Sequence, residues 1–170
     1  SSKGLSAESL AKSFNIKNKY STEEDILNAE EIDAVLILTP HYNHSDLVIK
    51  ALNKGKAVYV EKPLALDMQS ITDIEESIYR SENPKLFVGF NRRFSKSSQF
   101  IKQKLIDSPA NSINLRFSVP PLDSDHWTNI KEIGGGRIVG EAVHGIDLAC
   151  YLFDSLPQSI SASAPVDKSN

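Results

Sequence analysis

The sequence has little that would tie it to a disulfide-rich, membrane-spanning or nucleic-acid-binding class. Its 170 residues include a single cysteine, Cys150, so neither a disulfide framework nor a thiolate metal cage can form. No apolar run approaches the roughly 20 residues of a membrane-spanning helix. The net charge of −3 comes without a basic cluster. We therefore expect a cytoplasmic protein with no metal site that binds neither nucleic acid nor a membrane.

The first half of the chain has the alternating pattern of an α/β fold. Hydrophobic residues make up 40% and charged residues 24% of the sequence, as in ordinary globular proteins. Three short apolar runs (34–38, 57–60 and 86–88) are separated by two amphipathic segments that predict helices. This order predicts a parallel sheet with helices on its faces. The continuous run 34–38 predicts a strand that is covered on both sides.

The pattern changes after Arg93. Apolar and polar residues alternate from Ile113 to Val119, which predicts one half-buried strand of an antiparallel sheet. A helix is expected over residues 138–153 and a further strand over 159–164. We place a domain boundary here, with one domain over residues 1–93 and a second over 94–170. Because the chain begins at Ser1 without methionine and ends just after a predicted strand, we expect a fragment of a longer protein.

The segment Glu61-Lys62-Pro63 is the most informative motif. It follows the apolar run 57–60, so it lies at the carboxyl edge of the predicted sheet, where open α/β sheets bind ligands. A partly buried lysine there has a lowered pKa and can donate to a substrate oxygen. The alternative is a solvated lysine paired with Glu61. Neighbours on an extended strand point in opposite directions, which favours the functional interpretation.

A second polar cluster lies on the predicted helix 138–153. Glu141, His144 and Asp147 are spaced three residues apart, so neighbouring members lie on one broad face. A histidine suits general base catalysis at neutral pH, and a nearby carboxylate would fix its tautomer. The alternatives are a core histidine with a satisfied hydrogen bond and half of a metal site, for which no second ligand pair exists.

Two loops and a glycine run are weaker candidates. Residues 39–44 follow the first strand and either line a cofactor or form a simple turn before a helix. Trp127 either forms a wall on which a sugar ring stacks or anchors its loop by burial. The run Gly134-Gly135-Gly136 marks a tight backbone passage.

These residues together resemble the Gfo/Idh/MocA family of glucose–fructose oxidoreductases and inositol dehydrogenases. The matching stretches occur in family order: Thr39-Pro40-x-x-x-His44, Glu61-Lys62-Pro63, Gly89-Phe90-Asn91-Arg92-Arg93-Phe94, and Gly134-Gly135-Gly136 with His144-x-x-Asp147. The stretch from Asp125 to Glu141 is most similar to a branch in which this unit follows a zinc-alcohol-dehydrogenase-like portion.

The resemblance implies a Rossmann-type NAD(P) domain, here incomplete at its N-terminus, followed by an α+β domain with a mostly antiparallel, truncated sheet. That sheet would bind substrate and form homo-oligomer contacts. The implied cofactor is NAD or NADP. By the same resemblance, the catalytic residues would be Lys62, His144 and Asp147, and the substrate would contact Arg93, Trp127 and Asp147. The residues that would line the cofactor are Thr39, Pro40, His44, Glu61, Lys62 and Asn91.

Two departures from the family pattern stand out. No Gly-x-Gly-x-x-Gly motif precedes Ala34, and the aspartate usual four residues before the motif histidine is Gly140, with Glu141 beside it.

The leading hypothesis is hydride transfer between nicotinamide and a hydroxyl-bearing carbon of a sugar, polyol or nucleotide sugar. His144 would take the hydroxyl proton, Lys62 would stabilise the alkoxide, and Asp147 would orient the imidazole or bind a neighbouring hydroxyl. The alternatives are a non-catalytic sugar-binding or partner-binding module of the same fold, and sugar dehydration or hydrolysis through transient oxidation.

Overall fold

The computed structural model describes residues 4–109, 112–123 and 125–163. The helices are α1 (Gly4–Ser13), α2 (Glu23–Asn28), α3 (His44–Asn53), α4 (Met68–Arg80), α5 (Lys96–Asp107), α6 (Lys131–Gly134) and α7 (Val143–Phe153), and the strands are β1 (Ala34–Ile37), β2 (Ala57–Val60) and β3 (Leu86–Val88). Short 3₁₀ turns span His41–Asn43, Asn91–Phe94 and Trp127–Asn129, and a π-helical turn spans Ile138–Ala142.

The three strands form one parallel sheet in the order β1-β2-β3, which confirms the predicted parallel arrangement. The ladder continues past the strands: the Glu61 amide donates to the Ile37 carbonyl at 3.0 Å, and the Gly89 amide to the Val60 carbonyl at 2.7 Å. Glu61 and Gly89 are therefore fixed side by side at the carboxyl edge of the sheet.

The core lies on one face of this sheet, under α3 and α4. It contains Leu27, Ile37, Val48, Ala51, Leu52, Val58, Val60 and Ile74. Complete burial of an aliphatic side chain is worth about 1.5–3 kcal/mol, so this cluster is what holds the helices to the strands. The start of α4 is fixed as predicted, because the Asp67 carboxylate accepts a hydrogen bond from the Ser70 amide at 2.8 Å.

The opposite face of the sheet is open in the part of the chain that the structure describes. Leu36 is 68% exposed and Leu38 is 64% exposed. The prediction that run 34–38 is covered on both faces is therefore wrong for these residues. The reason is that α3 and α4 both contribute to the same apolar cluster, on the face of Ile37.

Helices rather than strands organise the described part of the second half. α5 packs against α7, and Phe117 lies against Gly145, where an added Cβ would come within 2.8 Å of the ring. Residues 112–119 and 159–163 contain no strand, so the predicted antiparallel sheet is not confirmed; residue 164 lies outside the described residues. The helix predicted over 138–153 is confirmed only from Val143, since its first turn is π-helical. Within the described residues, no helix is both long and apolar enough to cross a membrane.

Candidate active site

Lys62 lies on the loop after β2, where the two halves of the chain meet. Its ammonium donates a hydrogen bond to the backbone carbonyl of Gly140 in the π-helical turn. The peptide bond from Lys62 to Pro63 is cis. Burial lowers the pKa of Lys62, while the negative charges of Glu141 and Glu61 oppose that change. The structure thus holds a partly desolvated amine at the ligand-binding edge of the sheet.

The carboxylate of Glu61 has hydrogen-bond partners other than the lysine ammonium. One oxygen accepts a hydrogen bond from the Tyr59 hydroxyl at 3.2 Å, and the other accepts from the Lys62 backbone amide at 3.3 Å. Gly89 makes room for this arrangement, because a Cβ there would lie 2.6 Å from the Tyr59 hydroxyl oxygen. Burial, followed by the charge of Glu61, raises the pKa of Tyr59.

His144 occupies the first turn of α7. Its Nδ1 atom is buried and has no hydrogen-bond partner among the described residues. Burial is the main cause of a lowered pKa, and the positive charges of Lys62 and then Arg92 lower it further. The imidazole is therefore neutral near pH 7 and able to accept a proton. Because the charge of Lys62 acts on His144, the two side chains predicted to work together lie in one region.

Asp147 does not orient His144, and this corrects the predicted relay. Its carboxylate accepts two hydrogen bonds from Arg93, one from Nε at 2.7 Å and one from Nη2. The Asp147 side chain is 6% exposed and that of Arg93 is 38% exposed. A guanidinium fork matches both carboxylate oxygens at once, which a single imidazole nitrogen cannot do. Arg93 is predicted to bind substrate, but in this structure its Nε and Nη2 atoms both donate to Asp147.

Glu141, the other carboxylate of that helix face, also has a partner of its own. It accepts a hydrogen bond from Nη2 of Arg137 at 3.1 Å. Its negative charge still raises the pKa of Lys62. Glu141 therefore tunes the lysine electrostatically and forms no hydrogen bond with His144.

The loop after β1 divides into exposed residues and a buried anchor. Thr39 and Pro40 are exposed, as is Asn91 after β3. His44 is fully buried, and its ring nitrogens face the Pro63 carbonyl at 2.7 Å and the Thr39 carbonyl at 2.8 Å. His44 thus ties the loop after β1 to the loop after β2, while Thr39, Pro40 and Asn91 remain accessible to a ligand.

His41 links this loop to the glycine run. Its Nδ1 atom bonds to the Gly134 carbonyl at 2.8 Å, and its ring meets Trp127 edge to face at 4.7 Å. Burial lowers the pKa of His41. Trp127 is 40% exposed and packs on His41 and His126. Its indole is thus partly an anchor for its own loop, with one part left accessible.

The glycine run makes the close backbone passage that the sequence predicts. A Cβ at Gly134 would lie 2.3 Å from the Thr128 Cα atom, so no side chain fits. Gly135 and Gly136 have φ values of +76° and +78°. An adjoining cleft of about 380 Å³ is bordered by His41, Leu66, Asp67, Gly135 and Val139, among others.

Sequence reasoning missed three contributors to the site: His41, Arg92 and the Gly140 carbonyl. His41 could have been found from the sequence, since it lies in the loop 39–44 that is a candidate for lining a cofactor. Arg92 stood in the matched stretch after β3, but nothing in its type distinguished it from Arg93. A backbone carbonyl has no signature in sequence. Among the described residues, no group of three His, Cys, Asp or Glu side chains is arranged to hold a metal ion.

Comparisons with known proteins identify relatives of this chain. Residues 1–90 match the Gfo/Idh/MocA family model, described as an oxidoreductase family with an NAD-binding Rossmann fold. Inositol 2-dehydrogenase of Rhizobium meliloti is 32% identical over 151 residues, which are 85% of this chain and 44% of that protein. The NAD(+)-dependent scyllo-inositol 2-dehydrogenase of Bacillus subtilis is 29% identical over 158 residues, which are 91% of this chain and 45% of that protein.

A solved structure extends the comparison to three dimensions. Levoglucosan dehydrogenase in complex with NADH and levoglucosan superposes with a TM-score of 0.75 at 27% identity, over 89% of this chain and 43% of that one. The chain spans about half the length of the curated relatives that it matches.

Proposed function

This chain belongs to the Gfo/Idh/MocA oxidoreductase family with an NAD-binding Rossmann fold, and on that premise we propose that the full-length protein is an NAD(P)-dependent dehydrogenase acting on a hydroxyl-bearing carbon of a sugar, polyol or nucleotide sugar. The observation that carries the proposal is the convergence of Lys62 and His144. The two residues come from opposite halves of the chain, and burial lowers the pKa of each. The Lys62 ammonium bonds to Gly140 in the turn that precedes α7, and His144 lies in the first turn of α7.

The residues at the carboxyl edge of the sheet fit a nicotinamide cofactor. Thr39, Pro40 and Asn91 are exposed on loops that follow β1 and β3, the edge at which Rossmann sheets hold dinucleotides. Glu61 is fixed between them by the extended strand ladder. His44 supports this edge by holding the loops of Thr39 and Pro63 together. NAD or NADP bound there would supply the hydride acceptor.

The roles of the chain's own groups follow from their charge states. His144 is neutral near pH 7 because its pKa is lowered, so it takes the hydroxyl proton of the substrate. Lys62 donates a hydrogen bond to the oxygen on which negative charge develops. Asp147 holds Arg93, and the pair fixes the turn 91–94 against α7. Trp127 offers the exposed part of its indole as one wall for a sugar ring.

The remaining features are proposed on the family pattern. Residues 1–93 would form the nucleotide-binding domain, and 94–170 would begin a domain with a mostly antiparallel sheet that carries substrate and homo-oligomer contacts. The alternation from Ile113 to Val119 supports that sheet. The loop from Asp125 onward supports the branch with a zinc-alcohol-dehydrogenase-like portion. The lone Cys150 fits a reducing cytoplasm.

The test combines cofactor titration with turnover on the full-length protein. NAD and NADP are titrated by calorimetry, and a panel of polyols and nucleotide sugars is then assayed for nicotinamide reduction. Lys62→Met and His144→Gln should each lower kcat by about 10²–10⁴-fold while the protein stays folded. Lys54→Met, at an exposed position of the same half, is the matched control.

Near-normal turnover in both site variants would refute the assignment, and sugar binding without turnover would favour the non-catalytic module. Product analysis separates dehydrogenation from dehydration or hydrolysis.

A further inference from the structure

The lysine of the site is held by a backbone carbonyl and not by a carboxylate. Its ammonium donates to Gly140 O. The two carboxylates whose charge reaches it have other hydrogen-bond partners: Glu61 accepts from the Tyr59 hydroxyl, and Glu141 accepts from Arg137. The acceptor that fixes the direction of Lys62 is therefore neutral.

The geometry of the turn explains how this carbonyl is presented. Residues Ile138–Ala142 form a π-helical turn, in which the Val143 amide reaches back to the Ile138 carbonyl. Such turns widen the helix locally and occur frequently at functional sites. A carbonyl oxygen has two lone pairs, so Gly140 can accept from Lys62 in addition to any bond within the helix.

The absence of a side chain at position 140 is equally specific. A Cβ added to Gly140 would lie 3.1 Å from Thr128 Cγ2, 3.3 Å from His41 Cε1 and 3.4 Å from the Gly134 carbonyl. An added Cβ at this position would thus lie against the wall that His41 and Thr128 form. The contact of position 140 with Lys62 is made by its backbone.

We propose that Gly140 is the positioning residue for Lys62, and that its carbonyl, presented by the π-helical turn, aims the ammonium at the space beside His144. This inference rests on the proposed dehydrogenase function. A neutral acceptor stabilises the ammonium less than a carboxylate would, so burial still lowers the pKa of Lys62.

The experiment uses Gly140→Ala in the full-length protein. The new Cβ would lie 3.1 Å from Thr128 Cγ2 and 3.3 Å from His41 Cε1, and we expect the backbone to relieve this crowding by moving its carbonyl away from Lys62. Because a hydrogen bond to the charged form favours that form, its loss should lower the pKa of Lys62 further, as followed by NMR of the labelled lysine side chain. The kcat should fall about ten- to hundredfold, the worth of one hydrogen bond to a charged group. Ile138→Ala, in the same turn at a side chain that is 75% exposed, is the control and should change neither quantity.

A second variant guards against misfolding. Thr128→Ser removes the methyl group that the new Cβ would meet, so the double variant Gly140→Ala/Thr128→Ser should recover part of the kcat and of the Lys62 pKa. The inference is overturned if folded Gly140→Ala, or the double variant should the single one unfold, leaves the Lys62 titration as in the wild type, whatever happens to kcat. The dehydrogenase assignment itself fails separately, through near-normal turnover of both Lys62→Met and His144→Gln.

Discussion

Arg93 donates two hydrogen bonds to Asp147, from Nε to Oδ2 at 2.7 Å and from Nη2 to Oδ1, across 54 positions of sequence. The pair joins the 3₁₀ turn after β3 to helix α7. The guanidinium also lies 5.9 Å from the centre of the Phe90 ring and 5.8 Å from that of Tyr151. This contact therefore joins the turn that follows the parallel sheet to the helix that carries His144.

Asp147→Asn should destabilise the fold, because it leaves the Arg93 guanidinium without its counter-charge. Breaking a fully buried pair costs about 3–5 kcal/mol, and the 38% exposure of Arg93 reduces the expected loss to about 2 kcal/mol. The measurement is the free energy of unfolding in urea. Glu76→Gln removes the partner of Arg80 in an exposed pair and should leave that free energy nearly unchanged. Equal effects of the two substitutions would contradict a structural role for the Arg93–Asp147 pair.

Gly89→Ala should disturb the Glu61 carboxylate through Tyr59. The added methyl group would come 2.6 Å from the Tyr59 hydroxyl oxygen and 3.3 Å from Glu61 Cδ, so the phenol has to move. Overpacking of this kind costs about 1–3 kcal/mol. Both the free energy of unfolding and the Kd for the cofactor should worsen.

Removing the clashing atom tests that cause. In the double variant Gly89→Ala/Tyr59→Phe, the hydroxyl is gone, and the stability should recover most of the way to that of Tyr59→Phe alone, since contacts of 3.1 Å with the ring and 3.3 Å with Glu61 Cδ remain. If the two substitutions are simply additive, the contact between Gly89 and Tyr59 is not the reason for the loss.

Gly134→Ala and Gly136→Ala separate steric fit from backbone conformation. At Gly134 the new Cβ would lie 2.3 Å from Thr128 Cα and 2.6 Å from its carbonyl oxygen, and backbone atoms cannot rotate away. At Gly136 nothing lies within 4 Å, and only the φ of +78° opposes a side chain. We expect Gly136→Ala to cost about 1–2 kcal/mol, the penalty for left-handed backbone in an L-residue. Gly134→Ala should cost more and should also release the hydrogen bond to His41.

Thermal unfolding compares the stabilities, and the NMR signals of the Trp127 indole report the packing on His41. The predicted change in those signals is confined to Gly134→Ala. A larger loss of stability in Gly136→Ala would show that strain, and not contact with Thr128, controls this segment.

The elements of the first half could be predicted because local pattern and long-range packing agree there. The apolar runs at 34–38, 57–60 and 86–88 became the three strands, and Asp67 caps α4 as its position before an amphipathic segment indicates. The open face of the sheet could not be predicted, because apolar composition at Leu36 and Leu38 does not reveal which layer covers a strand. The alternation from Ile113 to Val119 likewise specifies a face but not a neighbouring strand.

The sequence suggests some members of the candidate site but not the contacts between them. Lys62 and His144 follow from residue type and from placement at a sheet edge and on a helix. The spacing of His144 and Asp147 suggested a pair, but helix spacing only makes two side chains neighbours, and the arginine fork from a distant turn binds the carboxylate instead. The acceptor for Lys62 is a main-chain oxygen, which every residue has. Such partners depend on tertiary structure alone.

Lys62→Met should raise the pKa of His144. The positive charge of Lys62 disfavours the imidazolium, and after burial it is the largest cause that lowers this pKa from the ordinary value of 6.5. Removing the charge therefore moves the His144 titration to higher pH, and Arg92→Met should move it in the same direction by a smaller amount. The titration is followed by NMR of the histidine ring protons in the full-length protein, which needs no residual turnover.

The control is Lys54→Met, at an exposed position, which should leave the His144 titration unchanged. An unchanged His144 pKa in Lys62→Met would mean that the ammonium and the imidazole do not share one electrostatic environment, and the catalytic assignment of both would then have to be abandoned.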